Sequence, residues 1–251
     1  MRRWVLLPQV VVCSFAICLF VLGGAMLQGE RQVFRHPARP TDRGQVRAAY
    51  QPVDCSKAPC MALTFDDGPD PVYTPRILEI LRRHKVRATF FVLGAHVPGN
   101  EELLRRIYSE GHEIGNHTWG HPDLTTLNPE QVEDQVAHTQ FIIAAAGVPA
   151  PKMFRPPYGA VNDMVKAHVP LSIVRWNIDP EDWKAKEPAE LAMQVFIHAR
   201  PGGIVILHDT EARSADALET ILQGLEGQYH LVTASDLLNI HAAQPGVFFG
   251  R

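Results

Sequence analysis

The sequence predicts an α/β protein whose folded part is a closed or nearly closed barrel of about seven strands. Three observations indicate this class. Short β-rich apolar runs alternate with amphipathic helical patterns from residue 61 onward, which is typical of parallel βαβ units. Ionisable residues follow four of these runs, and 46% hydrophobic with 20% charged residues is the composition of a folded chain. An open, doubly wound sheet is the alternative, because periodicity does not separate the two.

The residues before this pattern form two predicted segments. Residues 4–27, after Arg2 and Arg3, are mainly apolar over about the length that crosses a bilayer core. We expect residues 1–29 to be a cleaved signal peptide or an uncleaved membrane anchor, and we favour the anchor. Residues 30–53 contain several prolines and little apolar periodicity, so they are predicted to be a linker. One folded domain is predicted over residues 54–251.

Strands and helices are predicted to alternate throughout this domain. The short apolar runs predict strands over residues 61–65, 88–93, 113–115, 152–154, 172–176, 204–207 and 230–233. The amphipathic patterns predict helices over residues 73–84, 101–110, 129–146, 161–167, 188–199, 215–225 and 234–240. Each strand is thus followed by a helix, as a parallel barrel requires.

Cys55 and Cys60 lie at the start of the predicted domain with four residues between them. In an oxidising compartment such a pair usually closes a small loop through a disulfide. Two unpaired thiols are the alternative.

The distribution of charge argues against a protein that binds nucleic acid. The chain carries a net −3, and residues 1–50 hold seven Arg against one Asp and one Glu, which leaves −8 for residues 51–251. A nucleic-acid-binding domain would present a basic face instead. We therefore expect no nucleic-acid partner.

Candidate functional residues follow the ends of predicted strands. In an α/β barrel the active site is assembled at the C-terminal ends of several strands, so four such coincidences indicate a site. Residues that merely form turns are the plainer explanation for any one of them. The candidates are Asp66 and Asp67, then Arg155, then Asp179 and Asp182, then His208 and Asp209.

Asp66 and Asp67 are adjacent at the end of the first predicted strand, before Gly68 and Pro69. In an extended chain their side chains would point to opposite sides, which predicts different roles. Two neighbouring carboxylates repel each other unless a cation or an arginine shares their site. A solvated turn is the alternative.

His117 and His121 form an H-x-x-x-H pair, which can bring two imidazoles to one side of a helical turn to bind one metal ion. Gly120 and Pro122 favour a turn or a very short helix here. Joined to a carboxylate, two imidazoles form the open ligand set expected of a catalytic zinc ion. A chance pair among 12 histidines is the alternative.

His208 follows a fully apolar strand and is a candidate general acid, with a buried core histidine as the alternative. Arg155 lies in the run Arg-Pro-Pro-Tyr-Gly, in which two prolines stiffen the backbone and Gly159 permits close approach to a ligand. A buried arginine usually pairs with a carboxylate, and here that carboxylate can be the catalytic one.

These residues belong to five ordered motifs that resemble the polysaccharide deacetylase family, also called the NodB-homology domain or carbohydrate esterase family 4. The resemblance spans residues 61 to about 240 and implies a distorted (β/α) barrel forming a single catalytic domain. The motifs are Thr64-Phe65-Asp66-Asp67-Gly68-Pro69, His117-Thr118-Trp119-Gly120-His121-Pro122, Arg155-Pro156-Pro157-Tyr158, Asp179-Pro180-Glu181-Asp182-Trp183 and Leu207-His208-Asp209.

The resemblance implies a divalent metal bound by Asp67, His117 and His121. Zinc is expected first, and cobalt or another divalent ion is the alternative. Asp66 would be the general base, and His208 the general acid that protonates the leaving amine.

Other motif residues would support these groups. By the same resemblance, Arg155 would hold Asp66, Asp182 would pair with His208, and the Tyr158 backbone N–H would stabilise the oxyanion. Asp209 would be either a strand-end cap or catalytic. Substrate contacts are expected from Pro156, Trp183 and Leu207.

The activity implied by the resemblance is metal-dependent hydrolysis of N-acetyl groups in an acetylated polysaccharide, with peptidoglycan expected first and chitooligosaccharides next. An O-acetyl esterase acting on xylan or a similar glycan is one alternative, and a non-catalytic glycan-binding module is another. Such polymers imply an extracytoplasmic protein, membrane-anchored or secreted. Four arginines after the apolar segment would instead favour a cytoplasmic location for the domain, namely Arg31, Arg35, Arg39 and Arg43.

Overall fold

Eight parallel strands form the sheet of the computed structural model, which describes residues 53–250. The strands β1 to β5 are neighbours in chain order, β6 pairs with the other side of β1, β7 pairs with the first residues of β1, and β8 pairs with β5. The strands are β1 Cys60–Asp66, β2 Thr89–Val92, β3 Glu113–Asn116, β4 Met153–Phe154, β5 Ser172–Val174, β6 Gly203–His208, β7 His230–Val232 and β8 Val247–Phe248.

The sheet closes into a barrel through an irregular segment that follows β5. Ile178 donates its backbone N–H to the Ile204 carbonyl at 3.1 Å, and the Ile206 N–H donates to the Ile178 carbonyl at 3.0 Å. The contact between Ile178 and Val205 is an isolated bridge rather than a ladder, so the barrel is distorted at this point. The predicted barrel is confirmed, and the open sheet is excluded.

The predicted helices are present, with small differences at their ends. The fourth begins two residues later than predicted, and the sixth begins three residues earlier. The helices are α1 Tyr73–His84, α2 Glu101–Ser109, α3 Pro129–Ala145, α4 Asp163–His168, α5 Pro188–His198, α6 Ala212–Leu225 and α7 Ala234–Leu238. The start of α3 is fixed by a capping box, in which the side chains of Asn128 and Gln131 each accept a backbone N–H of the other.

The central strand β1 shows how the barrel presents charged residues at its end. Every residue of β1 is buried, as expected for a parallel strand covered on both sides. Leu63 and Phe65 pack towards the helices, whereas Thr64 and Asp66 share the opposite face and contact Arg155. The alternation of side chains therefore turns the last residue of β1 towards the barrel interior.

Two short strands differ from the sequence-based prediction. The pattern does not predict β8, since two residues carry no periodicity, and the strand exists only because it pairs with β5. The predicted strand 172–176 ends at Val174, because the chain then leaves the ladder to reach β6.

Cys55 and Cys60 form a disulfide with Cα atoms 5.4 Å apart, as predicted. It fixes the loop that leads into β1. No helix among residues 53–250 combines the length and the apolar character needed to cross a bilayer. The predicted signal or anchor segment, residues 1–29, and the linker up to residue 52 lie outside the described residues.

Candidate active site

The predicted site residues lie together at the carboxyl ends of the barrel strands. Asp66 ends β1, His208 ends β6, and the two are direct partners in the parallel pairing. His117 directly follows β3, and Arg155, after β4, donates its backbone N–H to the Asn116 carbonyl at 2.9 Å. The strand order thus brings together groups that are far apart in the chain.

Asp66 is held by a buried arginine. Its side chain is 1% exposed, and Oδ1 accepts a hydrogen bond from Arg155 Nη1 at 2.7 Å. The same nitrogen donates to Thr64 Oγ1 at 2.7 Å, and the guanidinium lies on the Phe91 ring, 4.1 Å from its centroid. Asp66 Oδ2 is buried and makes no hydrogen bond within residues 53–250. One carboxylate oxygen is therefore fixed, and the other is left to accept a proton.

Asp67 does not continue the strand, which corrects the expectation that the two carboxylates point to opposite sides. Its φ of 76° is left-handed, and its carbonyl accepts a hydrogen bond from His96 Nδ1 at 2.7 Å. His117 Nε2 consequently lies 3.8 Å from Asp66 Oδ2 and 3.4 Å from Asp67 Oδ1. Both carboxylates face the same imidazole.

The H-x-x-x-H segment is a loop and not a helical turn. Thr118 and His121 both have left-handed φ angles, of 72° and 59°. Gln135 on α3 accepts the backbone N–H groups of Trp119 and Gly120 at 3.0 Å each. The two imidazole rings nevertheless lie close together, with centroids 5.0 Å apart. The contacts with Gln135, and not the spacing of a helix, hold the loop in this conformation.

Asp67, His117 and His121 form a candidate metal site. Asp67 Oδ1 lies 3.4 Å and 3.5 Å from the two Nε2 atoms, and the three ligand atoms all lie within 4.8 Å of one another. Asp67 Oδ1 is buried without a hydrogen bond in the described part of the chain. His117 Nδ1 donates to the Arg155 carbonyl at 2.7 Å, which leaves Nε2 as a ligand. This donor set fits a divalent cation with open positions.

The charges of these groups suit cation binding. Burial alone would raise the pKa of Asp67, but the imidazoles of His117, His121 and His208 outweigh it and lower the pKa to about 2. Burial, together with the charge of His117, lowers the pKa of His121. At neutral pH the site therefore offers a carboxylate and a neutral imidazole, the forms that bind a metal.

His208 is paired with a buried aspartate. Its Nδ1 lies 2.8 Å from Asp182 Oδ1, and its backbone N–H donates to Asp182 Oδ2 at 2.7 Å. Burial alone would lower the pKa of His208, but the hydrogen bond and charge of Asp182, followed by the charges of Asp66 and Asp67, raise it to about 9. His208 is thus protonated at neutral pH, as a general acid must be.

Tyr158 places a free backbone donor at the edge of the site. Its φ of 59° is left-handed, and its N–H makes no hydrogen bond within residues 53–250. The ring packs on the His121 imidazole with centroids 4.7 Å apart. A backbone N–H that lies beside a candidate metal ligand and has no partner of its own can stabilise an oxyanion.

Comparison with known proteins agrees with this geometry. Residues 54–170 match the family model described as polysaccharide deacetylase. The chain is 42% identical over 160 residues to a chitooligosaccharide deacetylase of Bradyrhizobium sp., covering 62% of this chain and 73% of that protein. The chain belongs to the polysaccharide deacetylase family.

The chain is also similar to a peptidoglycan deacetylase and to a solved acetyl xylan esterase. The chain is 42% identical over 178 residues to the peptidoglycan-N-acetylglucosamine deacetylase PgdA of Listeria monocytogenes, covering 70% of this chain but only 38% of that protein's length. A family 4 acetyl xylan esterase from Clostridium thermocellum, solved in complex with a cobalt ion, has a TM-score of 0.69 and 34% identity, covering 72% of this chain and 91% of that chain.

The remaining residues predicted from the family lie in different surroundings. Trp183 is 59% exposed, with Lys184 Nζ 4.4 Å from its ring centroid, and Pro156 is buried before Tyr158. Leu207 is fully buried in the layer between the barrel and the helices. Because side chains alternate along β6, Ile206 and not Leu207 shares the face of His208. The structure therefore does not bring Leu207 to the other site residues.

Asp209 lies behind the site rather than in its opening. It is buried, and Thr74 on α1 donates its hydroxyl to Oδ2. Burial raises its pKa to about 7, against the opposing hydrogen bond from Thr74. A side chain at Gly68 would collide with this carboxylate, since a Cβ there would lie 2.1 Å from Asp209 Oδ2. These contacts favour the first of its two predicted roles, support of a strand end.

Three residues of this candidate site were not predicted from the sequence. Thr64 could have been found, because it lies two residues before Asp66 on the same face of β1. His96, which bonds the Asp67 carbonyl, and Ser214, whose hydroxyl donates to Asp182 Oδ2, carry no sequence signal. They reach the site only through the packing of separate loops and helices.

Proposed function

We propose that this chain is a divalent-metal-dependent deacetylase that hydrolyses N-acetyl groups of an aminosugar polymer. The observation that carries the proposal is the buried Asp67 Oδ1, which makes no hydrogen bond in residues 53–250 and lies within 3.5 Å of two imidazole nitrogens. A proton acceptor, Asp66, and a protonated imidazole, His208, accompany it at the same end of the barrel. This combination matches amide hydrolysis, which needs a base and an acid.

The proposed roles follow from the geometry of each residue. A divalent cation bound by Asp67, His117 and His121 would polarise the acetyl carbonyl and lower the pKa of a bound water. Asp66 takes the proton of the attacking water through Oδ2, because its Oδ1 is already bound to Arg155.

The remaining groups act on the oxyanion and the leaving amine. As the water oxygen bonds to the acetyl carbon, the Tyr158 N–H donates to the developing oxyanion. His208 donates its proton to the nitrogen as the carbon–nitrogen bond breaks, and Asp182 keeps the imidazole charged and oriented. The products are acetate and a free amine on the sugar.

We propose peptidoglycan as the first substrate and chitooligosaccharides as the second. Support comes from the activities for which the Listeria and Bradyrhizobium relatives are named, both of them 42% identical to this chain. Zinc is the proposed cation, because two imidazoles and one carboxylate suit it, and cobalt is the alternative. We place the domain outside the cytoplasm, anchored or secreted, and the Cys55–Cys60 disulfide supports an oxidising compartment.

Acetate release from N-acetylglucosamine oligomers and from peptidoglycan fragments, with and without a chelator, tests the proposal. We expect metal-dependent release, and Asp66→Asn should lower kcat by at least about 10²-fold while retaining the metal. His117→Ala should lose the metal as measured by elemental analysis. Asp179→Asn, at an exposed position in the loop that carries Asp182, is the control and should keep near-native activity.

Three outcomes would contradict parts of the proposal. Chelator-insensitive release would refute the metal site, and near-native activity of Asp66→Asn would refute the base. Faster release from acetylated xylan than from any aminosugar polymer would identify an O-acetyl esterase. Glycan binding without acetate release from any substrate would identify a binding module.

A further inference from the structure

Arg175 differs from every other arginine that the structure describes. Each of the others donates to a carboxylate or carbonyl oxygen, whereas the Arg175 guanidinium makes no hydrogen bond or ion pair within residues 53–250. Its Nε is shielded from solvent without an acceptor, although the residue as a whole is only half-buried. The Nη nitrogens also have no acceptor within residues 53–250 and, unlike Nε, they are not shielded from solvent, so an external acceptor can reach this edge of the guanidinium.

Arg175 lies at the same end of the barrel as the proposed site. It directly follows β5, and its guanidinium lies over the ring of Phe249, 5.1 Å from the centroid. It also touches the loop that carries the oxyanion donor, since a Cβ at Gly159 would lie 3.2 Å from its Nε and Nη2. Gly159 directly follows Tyr158, whose ring packs on the metal-ligating His121.

We infer that Arg175 binds a carboxylate carried by the glycan next to the sugar that is deacetylated. This inference rests on the proposed function and specifies its substrate class as an acidic aminosugar polymer. The planar guanidinium matches a carboxylate through two parallel hydrogen bonds, and the aromatic ring behind it limits its rotation. Residues 51–251 carry a net −8, so an acidic polymer needs a local cation of this kind to approach.

Two kinds of sugar could supply the carboxylate: a lactyl ether, as in N-acetylmuramic acid, or a uronic acid. The experiment uses the full metal-loaded chain and measures kcat/KM for acetate release. Its substrates are a neutral N-acetylglucosamine oligomer, an oligomer alternating with N-acetylmuramic acid, the methylamide of that oligomer, and an oligomer alternating with glucuronic acid. The methylamide removes only the charge.

We expect Arg175→Gln to lower kcat/KM by about tenfold or more on one of the carboxylate substrates, and to leave the neutral oligomer and the methylamide unchanged. The substrate that responds identifies the source of the carboxylate. Arg175→Lys should recover part of the loss. Arg82→Gln removes the same charge from an exposed ion pair in the last turn of α1 and should behave as the wild type.

Equal loss on charged and neutral substrates would show that Arg175 only supports the Gly159 loop and would overturn the inference. Unchanged rates on both acidic substrates would overturn it as well. The neutral oligomer reports separately on the proposed function, since wild-type chain that releases no acetate from any substrate refutes that function. Calorimetric binding of the free acid and its methylamide then tests Arg175 without turnover, and equal affinities would refute its role.

Discussion

Replacement of Asp182 with Asn tests the proposed general acid. Asp182 Oδ1 lies 2.8 Å from His208 Nδ1, and this contact, followed by the charges of Asp66 and Asp67, outweighs the effect of burial to raise the pKa of His208 to about 9 from its usual 6.5. A general acid works only while protonated, so wild-type activity should persist to about pH 9 and fall above it. Without the Asp182 charge, the pKa of His208 should fall from about 9 towards its ordinary 6.5, because burial lowers it and only the charges of Asp66 and Asp67 still raise it.

The expected loss can be worked out at pH 8. A group with a pKa of about 9 is roughly 90% protonated there, whereas a group with a pKa of 6.5 is roughly 3% protonated. Asp182→Asn should therefore lower kcat at pH 8 by up to about 30-fold, the value for a pKa that falls fully to 6.5, and much of the loss should be recovered near pH 6. The alkaline limb of the profile is thus expected to move towards neutral pH.

The assay is kcat for acetate release between pH 5 and about 10.5 at saturating substrate, with equal metal content confirmed in both enzymes. Asp179→Asn is the control, because Asp179 is exposed in the loop that carries Asp182, and among residues 53–250 it accepts only the Glu181 N–H. Melting temperatures measured across the same range separate catalytic loss from unfolding. An unmoved alkaline limb in Asp182→Asn, with the metal retained, would refute the assignment of His208 as the titrating acid.

Two further predictions concern stability. Arg155→Met leaves the buried Asp66 carboxylate without its cation and should lower the free energy of unfolding in urea by about 3–5 kcal/mol. Arg82→Met, which breaks an exposed pair, should cost less than about 1 kcal/mol, and equal losses would contradict the role of the buried pair. Cys55→Ser opens the disulfide loop and should cost about 2 kcal/mol. Reduction should destabilise the wild type by a similar amount and leave the variant unaffected.

The sequence predicts much of the barrel and most of the site because both depend on local patterns. Buried parallel strands appear as short apolar runs, and charged residues placed just after them mark the carboxyl edge of a barrel. Asp66, Arg155 and His208 are recognisable for this reason. The alternation of side chains along a strand is also local. Once the register of β6 is known, it shows that Ile206 and Leu207 point to opposite faces of the strand.

Contacts between distant segments are less accessible to such reasoning. His96 binds the Asp67 carbonyl, and Ser214 binds Asp182. Each contact joins two elements that are distant in the sequence, and local periodicity does not report how such elements lie relative to each other. Arg175 is a further example, because its lack of an acceptor among residues 53–250 can be recognised only after all its neighbours are in place.

The class of fold, the order of the strands along the chain and the chemical types at the carboxyl edge can be derived from the amino-acid sequence, since they follow from periodicity and from residue identity. The convergence of those groups can be seen only in the folded chain. Asp67 and His121 face a common point through left-handed backbone angles that loop contacts impose, and the barrel closes through Ile178 rather than through a regular strand. Such features depend on long-range hydrogen bonds and packing, whose free energy outweighs the local preferences that a sequence pattern reports.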